Sequence, residues 1–339
     1  MLGLILLSLA MACTSRASAQ SSTGEFAPQN YQLPDGAIVL QTSAVDVEPY
    51  FATKALIMAQ DAGLDIREAG TAWVKWMLPR QKSDGRFERY CRKAGEKFHA
   101  CGAADADDSL LALWLQLLYR LAPDSGIPAE WQQSARKAQS QLGKLRNGRL
   151  GIYHVSTRNH VALFMDNVEV FSALRDIAQA QARFGDQNAA NATRADADKL
   201  AAAIQHVFWD NRNQRFRPSI QKSNPAFYPD VVAQVFPWVE DMPTPNEDPR
   251  SAWNTWRSRF ATAWLENKYD PHPWGLVALA AMKLGDESTA LCWLSHSQSL
   301  RYGKSWNILE EAVFQGLEHG LQTQVAAERG ACSRAMGQL

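Results

Sequence analysis

Apolar residues recur with a helical period along almost the whole chain from Val47 onward. The pattern predicts helices over about 48–62, 66–80, 106–122, 128–146, 167–184, 191–208, 230–240, 249–267, 273–284, 286–299, 305–319 and 321–335. Gly63, Pro79, Pro123, Gly185, Gly285 and Gly320 supply stop signals. Polar or Pro-rich loops lie between the helices at 81–104, 147–165, 209–229 and 241–248. Strand signals are few and short, and Ala37-Ile38-Val39-Leu40 is the best of them. About twelve helices make six hairpins, and a closed ring of inner and outer helices accommodates them in one domain. The expected fold is therefore an all-α, single-domain toroid of the (α/α)6 type. An α-solenoid is also built from helix pairs, but the chain has no fixed-period repeat. Long loops fall on every second connection. In a ring of hairpins those loops share one face, and function is expected there.

The N-terminus changes the setting of this domain. Leu2 to Met11 is an apolar run too short to span a bilayer. It leads to Ala17-Ser18-Ala19, an A-x-A cleavage site, followed by Gln20. Residues 1–19 read as a signal peptide and residues 20–339 as an exported domain, periplasmic or secreted. Cys13 after Ala10-Met11-Ala12 offers a lipoprotein site as the lesser alternative, because Leu or Val is missing three residues before it. No later segment has the length and hydrophobicity of a membrane span. With 35 basic and 35 acidic residues, the chain lacks the charge excess of a nucleic-acid or anionic-membrane binder.

Four cysteines remain beyond the signal segment: Cys91, Cys101, Cys292 and Cys332. An even number in an exported chain points to disulfides, and four cysteines allow three pairings. Cys91–Cys101 is favoured because it closes a short loop with little apolar content. There is no CxxC and no His pair at ligand spacing, so neither a metal nor a cofactor is expected. The 12 Trp are unusual and indicate a large core, a ligand-stacking groove, or both.

The strongest chemical signal is Asp105-Ala106-Asp107-Asp108 at the start of a long apolar helix. One Asp there satisfies an N-cap and the helix dipole, and a third suggests more. Crowded carboxylates raise one another's pKa, which suits proton donation or a grip on hydroxyls. Met165-Asp166-Asn167-Val168-Glu169 repeats the theme, with Asp166 and Glu169 on one helix face. Its structural reading is a capping box with Asp in place of Ser. Asp46-Val47-Glu48-Pro49-Tyr50 reads structurally as a capped helix start with Pro in the first turn. Asn224 to Asp230, Tyr269 to Trp274 and Ser305 to Glu311 are further acid-plus-aromatic clusters near helix starts.

Each cluster alone suits a structural role, but together they make the mixture that carbohydrate needs. Aromatic faces stack on pyranose rings, and carboxylates bind hydroxyls. Glycosidic hydrolysis requires one protonated and one ionised carboxyl group. Glu48, Asp107 and Asp166 are the catalytic candidates. The acid is expected from the Asp46/Glu48 segment or from Asp107 and its neighbours, with Asp166 as the ionised partner at a helix N-terminus. Asp46, Tyr50, Arg86, Asp105, Asp108, Glu169, Tyr228, Trp238, Asp270 and Trp306 are expected to contact substrate. The alternative place for these Trp residues is the core.

These motifs resemble the six-hairpin glycosidase superfamily, and within it glycoside hydrolase family 8, which includes the endoglucanases of bacterial cellulose operons. Ala104-Asp105-Ala106-Asp107 followed by Leu110-Leu111-Ala112 resembles that family's A-T-D-A-D-x-D-I-A segment. Asn224-Pro225-Ala226-Phe227-Tyr228 resembles its N-P-S-Y-F turn, and Tyr269-Asp270 its Y-D-A-x-R start. The resemblance implies a polysaccharide substrate, a β-glucan or exopolysaccharide, cleaved with inversion. The family's T-S-E-G-x-x-Y-G-M acid segment corresponds to Thr42 to Tyr50, where Asp46 fits the spacing and Glu48 the residue type. Its P-D-W base has no clean counterpart, with Glu240 and Asp241 only nearby. Met165-Asp166-Asn167 is similar to a helix start in the unsaturated-glucuronyl hydrolases of the same superfamily.

Two other functions compete. A polysaccharide lyase would draw its base from Tyr228 or His160 and neutralise a uronate with Arg86 or Arg89. A binding protein of exopolysaccharide export, partnered with the secretion machinery, would need no catalysis. The chain has no G-x-S-x-G, no P-loop and no G-x-G-x-x-G, which argues against a serine hydrolase and against nucleotide binding.

Overall fold

The computed structural model describes residues 24–43, 45–222, 224–245, 248–321 and 332. The expected signal peptide and nearly all of the expected helix over 321–335 lie outside these residues. The described chain is mostly helical: α1 (Pro49–Asp61), α2 (Arg67–Met77), α3 (Asp107–Leu121), α4 (Ala129–Leu145), α5 (Phe164–Arg183), α6 (Gln187–Phe208), α7 (Phe236–Val239), α8 (Pro249–Leu265), α9 (Gly275–Lys283), α10 (Glu287–Ser297) and α11 (Ile308–Gly320). Among these, α1 packs on α3 and α11, α3 on α5, α5 on α7, α7 on α9, and α9 on α11, which closes an inner ring. The even-numbered helices α4, α6 and α10 pack outside their inner neighbours α3, α5 and α9. The ring is the toroid that the helical pairs predict.

Burial explains which helices turn inward. In α3, every residue from Asp108 to Leu118 is buried, and α9 is buried from Gly275 to Ala281. The outer helices α4 and α6 instead bury one stripe and leave a polar face to solvent. The fourth inner position departs from the expected helix over 230–240. Phe227–Val231, Val232–Val235 and α7 form a short irregular helical run with a cis bond at Tyr228-Pro229 near its start. Pro229 and Pro237 each remove an amide donor, so a long regular ladder cannot form there.

The loop over 81–104 holds more order than its polarity suggests. Strands β2 (Glu88–Cys91) and β3 (His99–Ala103) pair antiparallel, and β1 (Asp46–Val47) adds to β2 with Asp46 opposite Cys91. Ala37 to Leu40 is not a strand; Ile38 makes a single bridge to Gln32. A second hairpin joins β4 (Trp209–Asp210) to β5 (Arg215–Phe216). Cys91 and Cys101 are disulfide-bonded across the β2–β3 pair, and Cys292 is bonded to Cys332.

Cys91–Cys101 staples a loop whose strand β3 is exposed along its length. Replacing both cysteines by Ala is expected to lower the unfolding free energy by about 2–3 kcal/mol. Urea titration of the double variant checks this, and an unchanged midpoint would show that the hairpin holds itself.

Candidate active site

The inner helices α1, α3, α5, α9 and α11, with the run from Phe227, all begin on one face of the ring. Acidic side chains stand at most of these starts, and their arrangement differs from capping. The outer helices α6, α8 and α10 carry conventional Asp caps: Asp186, Asp248 and Asp286 accept from Ala189, Arg250 and Thr289 amides. The starts of α1, α3 and α5 have no side-chain cap, although each has acids beside it. Those carboxylates are turned to other partners.

Asp108 and Asp166 form the centre of this arrangement. Asp108 is fully buried and Asp166 is 7% exposed. Both oxygens of Asp108, Oδ2 of Asp166 and Oε2 of Glu169 have no hydrogen-bond donor among the described residues. Two ionised carboxylates cannot bond to one another, but one proton between them makes a donor and an acceptor. Burial first, then the neighbouring charges of Asp108, Glu169 and Asp105, push the Asp166 carboxyl well above the carboxylate range. Burial also raises Asp108, to about 7. The surroundings of Asp166 therefore favour its protonated form. This reverses the ionised role expected for it, because desolvation and three nearby acids outweigh the helix dipole.

Glu169 lies one turn along α5 from Asp166 and is fully buried. It accepts from Tyr50 Oη at 2.7 Å and pairs with Lys54, which also reaches Glu240 at 3.5 Å. Burial of Lys54 is offset by these two carboxylates, so its ammonium is held charged. Asn167 locks the entry to α5: its side chain bridges Tyr153, accepting from the amide at 2.7 Å and donating to the carbonyl at 3.0 Å.

The other expected residues separate into groups. Glu48 is buried, pairs with Arg89 and accepts from the Asp105 amide at 3.2 Å, so it ties α1 to β2 and to the approach to α3. Asp105 is exposed, and its charge reaches Asp166 and Tyr228. Asp107 points elsewhere: it stands 3.9 Å from Arg86, which is itself bonded to Asp84. Consecutive residues at a helix start diverge by about 100°, so Asp107 and Asp108 cannot both face the centre. Asp46 is exposed on β1, near Arg89. Tyr228 is 46% exposed and stacks on Trp274 at 4.6 Å, with Asp166, Asp105, Glu169 and Asp270 close enough to raise its hydroxyl further than burial alone. Asp270 accepts from the His272 amide at 2.8 Å.

One aromatic expectation is corrected. Trp306 is 1% exposed, stacks on Trp293 at 5.9 Å and donates to Glu311 at 3.0 Å. It belongs to the core because it precedes the α11 cap, Asn307, and turns under that helix. Trp238 is half-buried and lines a separate groove on the flank of the toroid.

Glu310 was legible only as part of the Ser305 to Glu311 cluster. It is 6% exposed, and burial raises its carboxyl to about 7 against the amides of Gly275 and Trp274. Its Oε2 accepts from Gly275 N at 2.7 Å, and a Cβ at Gly275 would sit 2.7 Å from the same oxygen. By ring order α11 stands opposite α5, so Glu310 and Asp166 begin facing helices.

Comparisons with known proteins agree with the fold. Residues 154–273 match the family described as the mannosylglycerate hydrolase MGH1-like glycoside hydrolase domain. The chain is similar in fold to a GH63 mannosylglycerate hydrolase from Thermus thermophilus solved in complex with glucose, at 11% identity and a TM-score of 0.54 over 86% of this chain and 97% of that one. It is likewise similar to a novel alpha-amylase from Clostridium perfringens, at 11% identity and a TM-score of 0.54 over 86% and 94%. A rhamnosidase from Klebsiella oxytoca with rhamnose bound has 11% identity and a TM-score of 0.53 over 86% and 60%. A search of curated protein sequences finds no match.

The raised carboxyls give a stability signature with a definite sign. Asp108 binds its proton more tightly folded than unfolded, so its contribution is full below about 4 and is lost as pH rises through about 7. Asp108→Asn is expected to raise the melting temperature at pH 8, with the gain shrinking towards pH 4. A thermal-melt series across pH checks this, and an equal effect at both ends would contradict it. Trp306→Ala should cost about 3–5 kcal/mol of stability, read by denaturant unfolding.

Proposed function

We infer that this chain, a glycoside hydrolase of the six-hairpin toroid type, cleaves a polysaccharide by general acid–base chemistry. Asp166 is the proton donor and Glu310 the partner that activates water. The observation that carries the reading is the burial of Asp108 and Asp166 beside one another on the helix-start face, where both carboxyls are pushed up. A buried acid with an elevated pKa can protonate a leaving glycosidic oxygen near neutral pH. Glu310, with a pKa near 7, sits on the facing helix and can take a proton from water. Inversion is what the resemblance to family 8 implies, and it calls for a water between the two carboxyls. Tyr228 on Trp274 supplies the aromatic platform for a sugar ring.

Lyase chemistry has less support. Tyr228 keeps its proton more firmly than a free tyrosine, and His160 is exposed on its loop, stacked on His154 at 5.2 Å. The A-x-A segment and the two disulfides support an exported enzyme, and we place it with exopolysaccharide handling on that ground. A second reading draws on the match over 154–273: a small glycoside of the mannosylglycerate kind as substrate.

The test is a reducing-end assay over a polysaccharide panel that also includes mannosylglycerate. New reducing ends without new ultraviolet absorbance are expected, with inversion seen by proton NMR of the first product. Asp166→Asn and Glu310→Gln should each lower turnover at least about hundredfold, on the scale of general acid–base catalysis, with the melting temperature kept. Turnover of mannosylglycerate alone would select the second reading. Retention on polysaccharide with no products would overturn both.

A further inference from the structure

Nine of the twelve tryptophans are buried in the core; only Trp209, Trp238 and Trp274 are partly open. Trp274 lies under Tyr228 at the active site. Trp209 and Trp238 lie elsewhere, in a groove of about 490 Å³ between the β4–β5 hairpin, the irregular inner run and α8. Phe216, Trp256 and Phe260 complete its apolar lining. The volume and the mixture of aromatic and polar walls are those of a ligand site.

The irregular fourth inner position accounts for the gap. A run too short to fill the space between α6 and α8 leaves the inner wall visible from outside the ring. Asp230 and Val231 face the groove, two and three residues past Tyr228 at the active site.

Charge narrows the class of ligand. Arg215 and Arg259 both line the groove, both are exposed, and neither has an ion pair or side-chain hydrogen bond among the described residues. The two acids on the wall are engaged with backbone amides. Asp230 accepts from Ala226 at 3.1 Å, and Asp248 accepts from Arg250 at 3.0 Å. The groove thus offers indole faces for pyranose rings and two free guanidinium groups for a carboxylate.

An aromatic track connects it to the active site. Phe260 in the groove lies 6.4 Å from Tyr269, and Tyr269 stacks on Phe227 at 4.9 Å, next to Tyr228 in sequence. Tyr269 is 49% exposed, so the track is open to solvent.

We propose that this flank groove is an accessory binding site for an acidic saccharide, a uronate-containing oligosaccharide, held with its ring on Trp209 and Trp238 and its carboxylate on Arg215 and Arg259. The site holds a remote stretch of the chain whose scissile bond lies at the helix-start face, and so it rests on the hydrolase reading for its purpose but not for its binding.

The experiment uses the full chain carrying Asp166→Asn, so that binding is read without turnover. Oligogalacturonate, oligomannuronate and oligoglucuronate are the acidic probes, and a cello-oligosaccharide is the neutral control, all followed by calorimetry. At least one acidic probe is expected to bind, at least tenfold more tightly than the control, and more weakly as salt rises. Arg215→Glu and Arg259→Glu are each expected to weaken it at least tenfold with the melting temperature unchanged. Trp238→Ala should weaken acidic and neutral probes together. Acidic binding that is indifferent to both arginine changes overturns the proposal, as does the absence of binding by every acidic probe. Arginine-dependent binding by a protein that makes no reducing ends would uphold the groove while removing the hydrolase reading. Reducing ends without arginine-dependent binding would do the reverse.

Discussion

The electrostatics of the ring depend on Lys54, the one buried cation among the described residues, set among many buried carboxylates. It rises from α1 and is paired with Glu169 of α5 and with Glu240, the residue that ends α7. Three of the six inner positions are thereby tied at the axis. An isolated buried charge costs several kcal/mol, and here the buried ammonium faces carboxylates from two other elements. Burial raises the Glu169 carboxyl, Lys54 and Tyr50 pull it back down, and its charge adds to the desolvation of Asp166 one turn away. A structural ion pair thus adjoins the buried Asp166 carboxyl.

The same logic separates the two layers of helices. Outer helices start at the opposite face, in contact with solvent, and an Asp side chain there simply caps. Inner helices start around a shared concavity, where carboxylates converge from α1, α3, α5 and α11 and burial raises them. Acids that look alike in sequence become caps on one layer and a proton store on the other. Glu48 and Glu310 are intermediate cases. Each is buried and each accepts a backbone amide, from Asp105 and Gly275 respectively, so each both braces the rim and stays available to chemistry.

The irregular fourth position has a different effect. Two prolines and a short helical run deny this sector a full inner helix, and the outer wall opens beside it. Tyr228 is carried toward the active site and Trp238 toward the flank by the same segment. The toroid therefore presents two concave surfaces, joined by exposed aromatics rather than by a continuous cleft.

The sequence by itself determined the helices, their pairing and the ring, because a 3.6-residue period with Gly and Pro stops is a local property of the chain. It also determined that acids and aromatics gather at alternate helix starts, and that Cys91 and Cys101 close one polar loop. Only the tertiary structure decided which acid does what. Whether Asp107 or Asp108 faces inward is a matter of about 100° of helix rotation, fixed by packing against α1 and α5. The pKa of Asp166 depends on Asp108 and Glu169 lying beside it, and Glu169 is itself paired with Lys54 from a helix more than a hundred residues earlier. Trp306 and Trp238 have the same chemistry in sequence, yet one fills the core beneath α11 and the other lines an open groove. Burial and pKa are properties of surroundings assembled from distant segments, and no local pattern carries them.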